Sequence, residues 1–483
     1  MEQKAGAQIG KRAFIQSIII LFILMMVAGI LTLVIPAGQY TRIQVDDREA
    51  IDPSSFQLVQ KPDYPIWRWF TAPIEVLGSD SGLTVIVIIV VLFFAGGAFA
   101  VLDKTGTIRA FIGNIVRRFR TRKYTLLYLV CLAFMFLGAT LGTFEEVVLL
   151  VPVMIALSYS LGWDALVGLG MSILATNMGF SAAISNPYTL GVSQQLAGLP
   201  LFSGAWFRII IFIVIYGIFV AFLSAYARKI DKDPTKSLVH GEDKAEREKF
   251  KRMEDNSLTE IDPKQNRAIT FFGMFLLLIF AVMLAGPFVP AISDYALPIV
   301  GVLFLIGGLG AGFLSGKGGK TVWKGLVEGL GGLAPSVPLI LMAASIRYII
   351  DSGGITDTIL HSAAETFTNL GAFPAALVVY MLALGIEFFI ASGSAKAFLM
   401  IPIVMPLADL IGVTRQTAVL AYIFGDGFSN LAYPTNPVLL ICLGLTVVSY
   451  PKWLRWTAKL WLWVMLATIG FLGIAVAINF GPF

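Results

Sequence analysis

Twice in this chain an apolar stretch long enough to cross a bilayer is interrupted by asparagine followed directly by proline. The breaks read "SNPYT" at residues 185–189 and "PTNPV" at residues 434–438. Proline lacks the N–H that a helical ladder needs, and Ser, Thr and Asn side chains compete for backbone groups. Lipid offers no water to satisfy the freed carbonyls, so such a break survives only when buried in protein or lining a cavity. Each break therefore predicts a polar pocket.

The chain is 483 residues, 57% hydrophobic and only 13% charged, with mean hydropathy +0.82. Many runs reach roughly 18 or more apolar residues, the length that spans a membrane. This is the composition of an all-α polytopic membrane protein. The first run, residues 13–34, lacks a small-residue cleavage site and is too long for a signal-peptide core, so it reads as a retained span. Cys131 and Cys442 lie in apolar runs and carry no redox message. The net charge of +5 sits in a few loops, which makes it a topology signal rather than a nucleic-acid footprint. Continuous spans are predicted at 13–34, 83–102, 205–227, 267–284, 297–314, 335–350 and 457–478. The stretches 124–200 and 373–448 are apolar but interrupted.

Charge sets the expected sidedness. Residues 103–123 hold seven basic side chains and 228–266 hold ten, so both should be cytoplasmic. Residues 351–372 have no Lys or Arg and should lie outside. The two basic loops share a face only if 124–160 is a re-entrant hairpin with its tip near 140–146, followed by a span broken at 185–189. The same logic makes 373–411 a hairpin entering from outside and 416–448 a broken span. The count is then nine spans and two hairpins, with the N-terminus inside and the C-terminus outside. The mixed charges of 228–266 suggest a solvated, flexible linker, and 104–122 and 354–370 suggest interfacial arm helices. "WRWF" (67–70) and "VWKG" (322–325) look like interface anchors. The polar segment 36–66 suggests no role.

An internal repeat supports this reading. A shift of 250 residues lays Pro152 on Pro402, Gly162 on Gly412, Ser185 on Thr435, Asn186 on Asn436 and Pro187 on Pro437. A shift of 248 lays Asp103 on Asp351 and Gly106 on Gly354. An odd number of crossings separates the halves, so the second copy should be upside down. Two inverted repeats, each with a re-entrant hairpin and a broken transmembrane helix, are the mark of secondary transporters.

The hairpin tips "GATLGTFEEV" (138–147) and "FIASGSAKAF" (389–398) should close the pocket from two sides. Glycine permits tight turns there, and hydroxyls supply ligands at little steric cost. Candidate substrate-binding residues are Thr143, Glu145, Glu146, Asn177, Ser181, Ser185, Asn186, Ser392, Gly393, Ser394, Ser429, Asn430, Thr435 and Asn436. The plainer reading is a pair of proline kinks repaired by neighbours, but two breaks at matching positions, each with a polar hairpin, argue against it. Lys396 and Asp426 are the candidate coupling or ion-pair residues. By the repeat offset Lys396 falls opposite Glu146, which suggests an ion pair locking the tips; alternatively its ammonium replaces a coupling cation. A glutamate at the first tip would bind a cationic substrate group or carry a proton. Arg347 offers a carboxylate partner or snorkels outward, and Glu387 ends the first limb of the second hairpin. A coupling Na+ would sit near Gly142 and Asn186; no other metal or cofactor is expected, and the coupling ion is Na+ or H+. No Walker loop or nucleophile–base pair is present, so neither ATP coupling nor catalysis is expected.

The order of basic arm, hairpin, "SNP" break, charged linker, hairpin and "TNP" break resembles the ion-transporter superfamily, which includes the divalent-anion sodium symporters and the aminobenzoyl-glutamate transporters. From "PAGQY" (36–40) through "GTFEEV" (142–147) to "YPTNPV" (433–438), the chain most resembles the DcuC/YfcC group of C4-dicarboxylate-carrier-like proteins. The resemblance implies a scaffold domain, a mobile transport domain, an elevator-type movement, a homodimer and a place in the bacterial inner membrane. It divides the chain into 1–123 (scaffold spans and arm), 124–200 (first transport-domain hairpin and broken helix), 201–227 (closing span) and 228–266 (linker). Then follow 267–372 (linking span, scaffold spans and external arm), 373–448 (second hairpin and broken helix) and 449–483 (last span). Some members of the group are regarded as arginine/ornithine antiporters. Here the tips read "TFEE" and "GSAK" where the sodium symporters carry Ser-Asn-Thr-like motifs. Adjacent glutamates repel a dianion in low dielectric and suit an ammonium or guanidinium. The expected partners are the bilayer and a small molecule, with an amino acid favoured over a C4-dicarboxylate.

Overall fold

An apolar run with no water to bond its backbone must close its own hydrogen bonds, and this chain does so as helix after helix. The computed structural model describes every residue except 1–10, 46–47, 53–54, 80–81, 109, 112–113, 115–121, 249–262, 286–288, 290–294, 366–369 and 482–483. The first elements are α1 (Lys11–Val34), β1 (Gly38–Gln39), β2 (Arg42–Val45), β3 (Arg48–Ile51), β4 (Gln57–Leu58), α2 (Arg68–Glu75) and α3 (Gly82–Lys104). The first interrupted stretch holds α4 (Lys123–Phe136), α5 (Val151–Ser160), α6 (Ala165–Leu169), α7 (Ala175–Ala182) and α8 (Val192–Leu196). Next come α9 (Ala205–Lys232), α10 (Pro263–Ala285), α11 (Ala296–Leu314), α12 (Gly319–Leu333), α13 (Ser336–Ser352) and α14 (Thr356–Glu365). The second interrupted stretch holds α15 (Ala372–Glu387), α16 (Gly393–Ile411), α17 (Arg415–Ser429) and α18 (Pro437–Gly444), and α19 (Tyr450–Ala477) closes the chain.

A helix occupies each of the seven predicted spans. Among the described residues, eight helical segments are long and apolar enough to cross a membrane. Their outer faces carry Ile213, Leu277 and Trp463, each more than half exposed in the isolated chain, as lipid-facing side chains must be.

The two interrupted stretches run through one order of elements: helix, turn, helix, then a helix broken before its proline. Both limbs of the first turn, α4 and α5, pack along the helix that starts at α6 and continues through a π turn into α7. Likewise α15 and α16 both pack on α17. The stretches meet where α7 crosses α17. A Cβ on Gly427 would stand 2.5 Å from Ser181 Oγ, so the absent side chain is what lets the helices touch.

One helix lies outside the predicted spans, and one expectation needs correction. The amphipathic helix α12 contains "VWKG" and packs on α3, with Gly329 against the Gly96 carbonyl; its Lys and Glu residues hid it from a search for apolar spans. Glu328 of α12 pairs with Lys104 at 2.6 Å. The linker, expected to be solvated and flexible, is docked over residues 233–248. Asp164 Oδ2 accepts from the Tyr226 and Ser237 hydroxyls at 2.7 Å each, and its Oδ1 caps α6 through the Val167 N–H at 3.0 Å. Asp243, wholly buried, accepts from the Ala165 N–H at 3.3 Å and pairs with Arg247 at 2.9 Å. Burial pushes both carboxyls up, Asp243 to about 7, with Arg247 pulling the other way. These acids are acceptors for a helix N-terminus rather than solvated surface charge. Most of the basic arm 104–122 lies outside the described residues.

The segment 36–66, for which the sequence suggests no role, holds four short strands. Strand β1 pairs with β4 and β2 with β3. Arg42 donates to both oxygens of Asp357 on α14 at 3.0 Å, and the Phe56 ring stacks on His361 with centroids 3.8 Å apart.

Candidate functional site

Each break is built around its asparagine. The Asn186 Oδ1 accepts from the Tyr188 and Thr189 N–H groups at 2.9 and 3.3 Å, capping the half-helix that begins at Pro187. The Asn436 Oδ1 does the same for Val438 and Leu439 at 3.0 and 3.4 Å. Both lone pairs of Asn186 Oδ1 are thus engaged by backbone donors. The first tip is sewn to its break: the Ser185 N–H donates to the Ala139 carbonyl at 3.0 Å, and its hydroxyl to the Thr140 carbonyl at 3.2 Å. Gly142 turns that tip at φ +68°, and a Cβ there would collide with Asn186 Oδ1. At the second tip Ser392 caps α16 by accepting from the Ala395 N–H at 3.4 Å, and the Tyr422 hydroxyl donates to the Gly393 carbonyl.

The ion pair expected between Lys396 and Glu146 does not form. Lys396 pairs with Glu387 and, at 2.9 Å, with Asp426; all three are at most 1% exposed. The repeat offset predicts equivalence between halves, whereas contacts are made by α15, α16 and α17 of one half. Glu146 instead accepts from the Phe144 N–H at 3.2 Å.

Between the two tips and the second break lies a cavity of about 160 Å³. Its wall includes Glu145, Ser392, Thr435, Asn436 and, from α13, Arg347. Cavities of about 150 Å³ hold benzene, so a small solute fits. Among the described residues Glu145 has no ion-pair partner, and Thr435 Oγ1 has no hydrogen bond. Arg347 donates through Nε to Asp351 at 3.2 Å. Arg347 also lines a wider vestibule of about 760 Å³, together with Arg42, Asp351, Asp357 and Ser394. No sequence pattern linked Arg42 and Asp357, which are far apart in the chain.

The remaining predicted residues lie behind this wall. Ser181 and Ser429 donate to carbonyls of their own helices, at Asn177 and Gly425, both at 2.7 Å. Asn430 accepts from the Asn436 amide at 3.3 Å. Asn177, with both amide atoms unpartnered among the described residues, and Thr143, with its hydroxyl likewise, are buried. Gly393 abuts Thr189 and Asp426. Phe388 and Phe389, which wall the cavity, carry no polar signal and escaped the sequence reading.

The sequence model of one family, DcuC, described as a C4-dicarboxylate anaerobic carrier, matches residues 14–477. This chain belongs to the DcuC family. It is 30% identical over 478 residues to YfcC of Escherichia coli (strain K12), covering 92% of each chain; the description of YfcC as a basic amino acid antiporter is provisional. It is also 26% identical over 372 residues to an uncharacterized protein of Haemophilus influenzae, covering 76% of this chain and 71% of that one. Among solved structures, this DcuC-family chain aligns with the YdaH transporter of Alcanivorax borkumensis at TM-score 0.42 and 18% identity, over 97% of this chain and all of the other. MtrF of Neisseria gonorrhoeae, described with a class of antimetabolite efflux pumps, aligns at TM-score 0.41 and 17% identity, over 96% and 95%. The DcuC family is one of membrane transporters.

Proposed function

We propose that this chain is a secondary active transporter that moves small amino acids, basic ones preferred, across the bacterial inner membrane by exchange or with a coupling cation. Alternating access through two mirrored repeats, with an elevator movement of the tips and broken helices, is the working cycle, and a homodimer is the working assembly.

The observation that carries this reading is the pairing of one unneutralised acid, Glu145, with one base, Arg347, on the wall of a single small cavity. A zwitterion matches that arrangement. Its carboxylate would face Arg347 and the Thr435 hydroxyl, which has no hydrogen bond among the described residues. Its ammonium, or a side-chain guanidinium, would face Glu145. A C4-dicarboxylate, the substrate class in the family's description, would set a second carboxylate against Glu145 in low dielectric.

Thermal unfolding of the purified protein with arginine, ornithine, succinate or malate, each with and without sodium, tests this. A ligand of the folded state stabilises it by about 2.7 kcal/mol at a hundred times its Kd. Arginine or ornithine should raise the apparent Tm. Stabilisation by succinate or malate alone would overturn the assignment in favour of sodium-coupled dicarboxylate transport.

A further inference from the structure

We propose that the Lys396–Glu387–Asp426 cluster is the coupling site of the transporter and holds one exchangeable proton. The inference rests on the transport reading above but not on the identity of the substrate.

The argument starts from charge. One ammonium faces two carboxylates, and all three groups are at most 1% exposed. Fully ionised, the cluster is a buried net negative charge, and an uncompensated buried ion costs several kcal/mol even after relaxation. No other cation faces it among the described residues. The titratable neighbours are the phenols of Tyr422 and Tyr433, which donate to the Gly393 and Leu384 carbonyls. The Asn436 amide lies beside Glu387, and α7, packed on α17, brings only uncharged Asn177 and Ser181. Glu145 and Arg347 line the adjoining cavity, with Asn436 between cavity and cluster. One proton neutralises the cluster. Glu387 Oε1 and Asp426 Oδ2, the oxygens turned away from Lys396, receive no hydrogen bond among the described residues and are the two places for that proton.

Position makes the proton matter. Glu387 ends α15 and Lys396 lies in the first turn of α16, so their pairing closes the tip between them, residues 388–392. Phe388, Phe389, Ala391 and Ser392 of that tip wall the substrate cavity. Gly393 sets the tip against Asp426 and against Thr189 of the other break. Proton loss leaves a negative charge at the hinge of the tip and favours its release. Substrate and proton then alter each other's affinity by the same factor.

Infrared spectra of the full-length protein, titrated from neutral to alkaline pH, test this directly. Above about pH 8, where the Asp243 carboxyl has ionised, the wild type should show the C=O stretch of one buried protonated carboxyl. Glu387→Gln and Asp426→Asn each leave a neutral ammonium–carboxylate pair with no need of the proton, so each should lose that band. Both should fold, whereas Lys396→Met strands two carboxylates and should be destabilised most at alkaline pH. Absence of the band in the wild type, or its persistence in both single variants, overturns the proposal.

In liposomes loaded with a pH indicator, arginine uptake by the wild type should move about one proton per arginine without sodium, and neither variant should move protons above leak. Arginine uptake that moves no protons also overturns it. If arginine is not carried, the amino-acid reading fails and the infrared band still decides this one.

Discussion

Asn186 and Asn436 do the same work in two places: each lends its side-chain oxygen to the first two free N–H groups of a half-helix that starts at proline. An alanine in either place leaves two buried donors without an acceptor. Removing an N-cap costs about 1–2 kcal/mol, and burial raises the figure. Asn186→Ala and Asn436→Ala should each lower the apparent Tm in detergent, by similar amounts. Asn→Asp keeps the accepting oxygen and should recover much of the loss at either site. Equal damage from Asp and Ala would mean that the amide donors, to Thr189 Oγ1 at 2.7 Å and to Asn430 at 3.3 Å, dominate instead.

Gly393 sits between Thr189 of the first break and Asp426 of α17. A Cβ there would run into the Thr189 methyl and stand 2.8 Å from Asp426 Oδ2. Overpacking of this kind costs typically about 1–3 kcal/mol. Gly393→Ala should therefore destabilise the protein, and adding Thr189→Ser, which removes the methyl but keeps the hydroxyl bonded to Asn186, should restore part of the loss. A double-mutant cycle on thermal unfolding gives the coupling; strict additivity would show that the tip shifts away rather than clashing.

The docked linker has a pH signature. Burial raises the Asp243 carboxyl to about 7, far above its ordinary range, so between about pH 4 and 7 the folded state binds a proton that the unfolded chain has released. Stability from this group is full at the acid end of that window, falls as pH rises through it, and is flat above about 7. The span is at most about 4 kcal/mol. Asp243→Asn mimics the protonated form while keeping an acceptor for the Ala165 N–H. Wild type and variant should unfold together at about pH 4 and below, and the wild type should unfold progressively earlier as pH rises toward 8. A wild type more stable than the variant at pH 8 would show that the Arg247 pair outweighs burial.

How far the chain could be read before folding depended on which residues announce their geometry locally. Pro187 and Pro437 stop a helix by covalent structure, so the breaks and their asparagines were visible. The turn at Gly142 was visible too, because a short glycine-rich run between apolar limbs has few other uses. Lys396 was visible as costly but its partners were not. An offset between repeats matches equivalent positions and says nothing of which limbs touch, and Glu387 and Asp426 reach Lys396 only because α15 and α16 share α17. Asp243 misled for a related reason. An acid in a charged loop looks solvated until the fold places a helix N-terminus over it. Helix α12 escaped because its packing face is glycine, at Gly325 and Gly329, rather than a long apolar run.

The cavity wall makes a prediction that separates two substrate classes. Glu145 and Arg347 line the same small space, the first without a partner among the described residues and the second engaged only through Nε by the exposed Asp351. If Glu145 holds the cationic end of a basic amino acid, Glu145→Gln removes one member of the charge pair that the bound ligand covers. That should weaken arginine by at least about 2 kcal/mol, roughly thirtyfold in Kd. If Arg347 holds the α-carboxylate, Arg347→Gln should weaken every amino acid alike. Arg347→Lys keeps the charge but loses the planar fork and should fall between. Binding measured by calorimetry for arginine, ornithine and succinate gives the pattern. Arginine weakened by both variants, with succinate unbound throughout, fits the zwitterion. Succinate bound by the wild type and bound more tightly by Glu145→Gln fits the opposite case, in which the glutamate is a repulsive group in a dicarboxylate site and the amino-acid assignment is wrong.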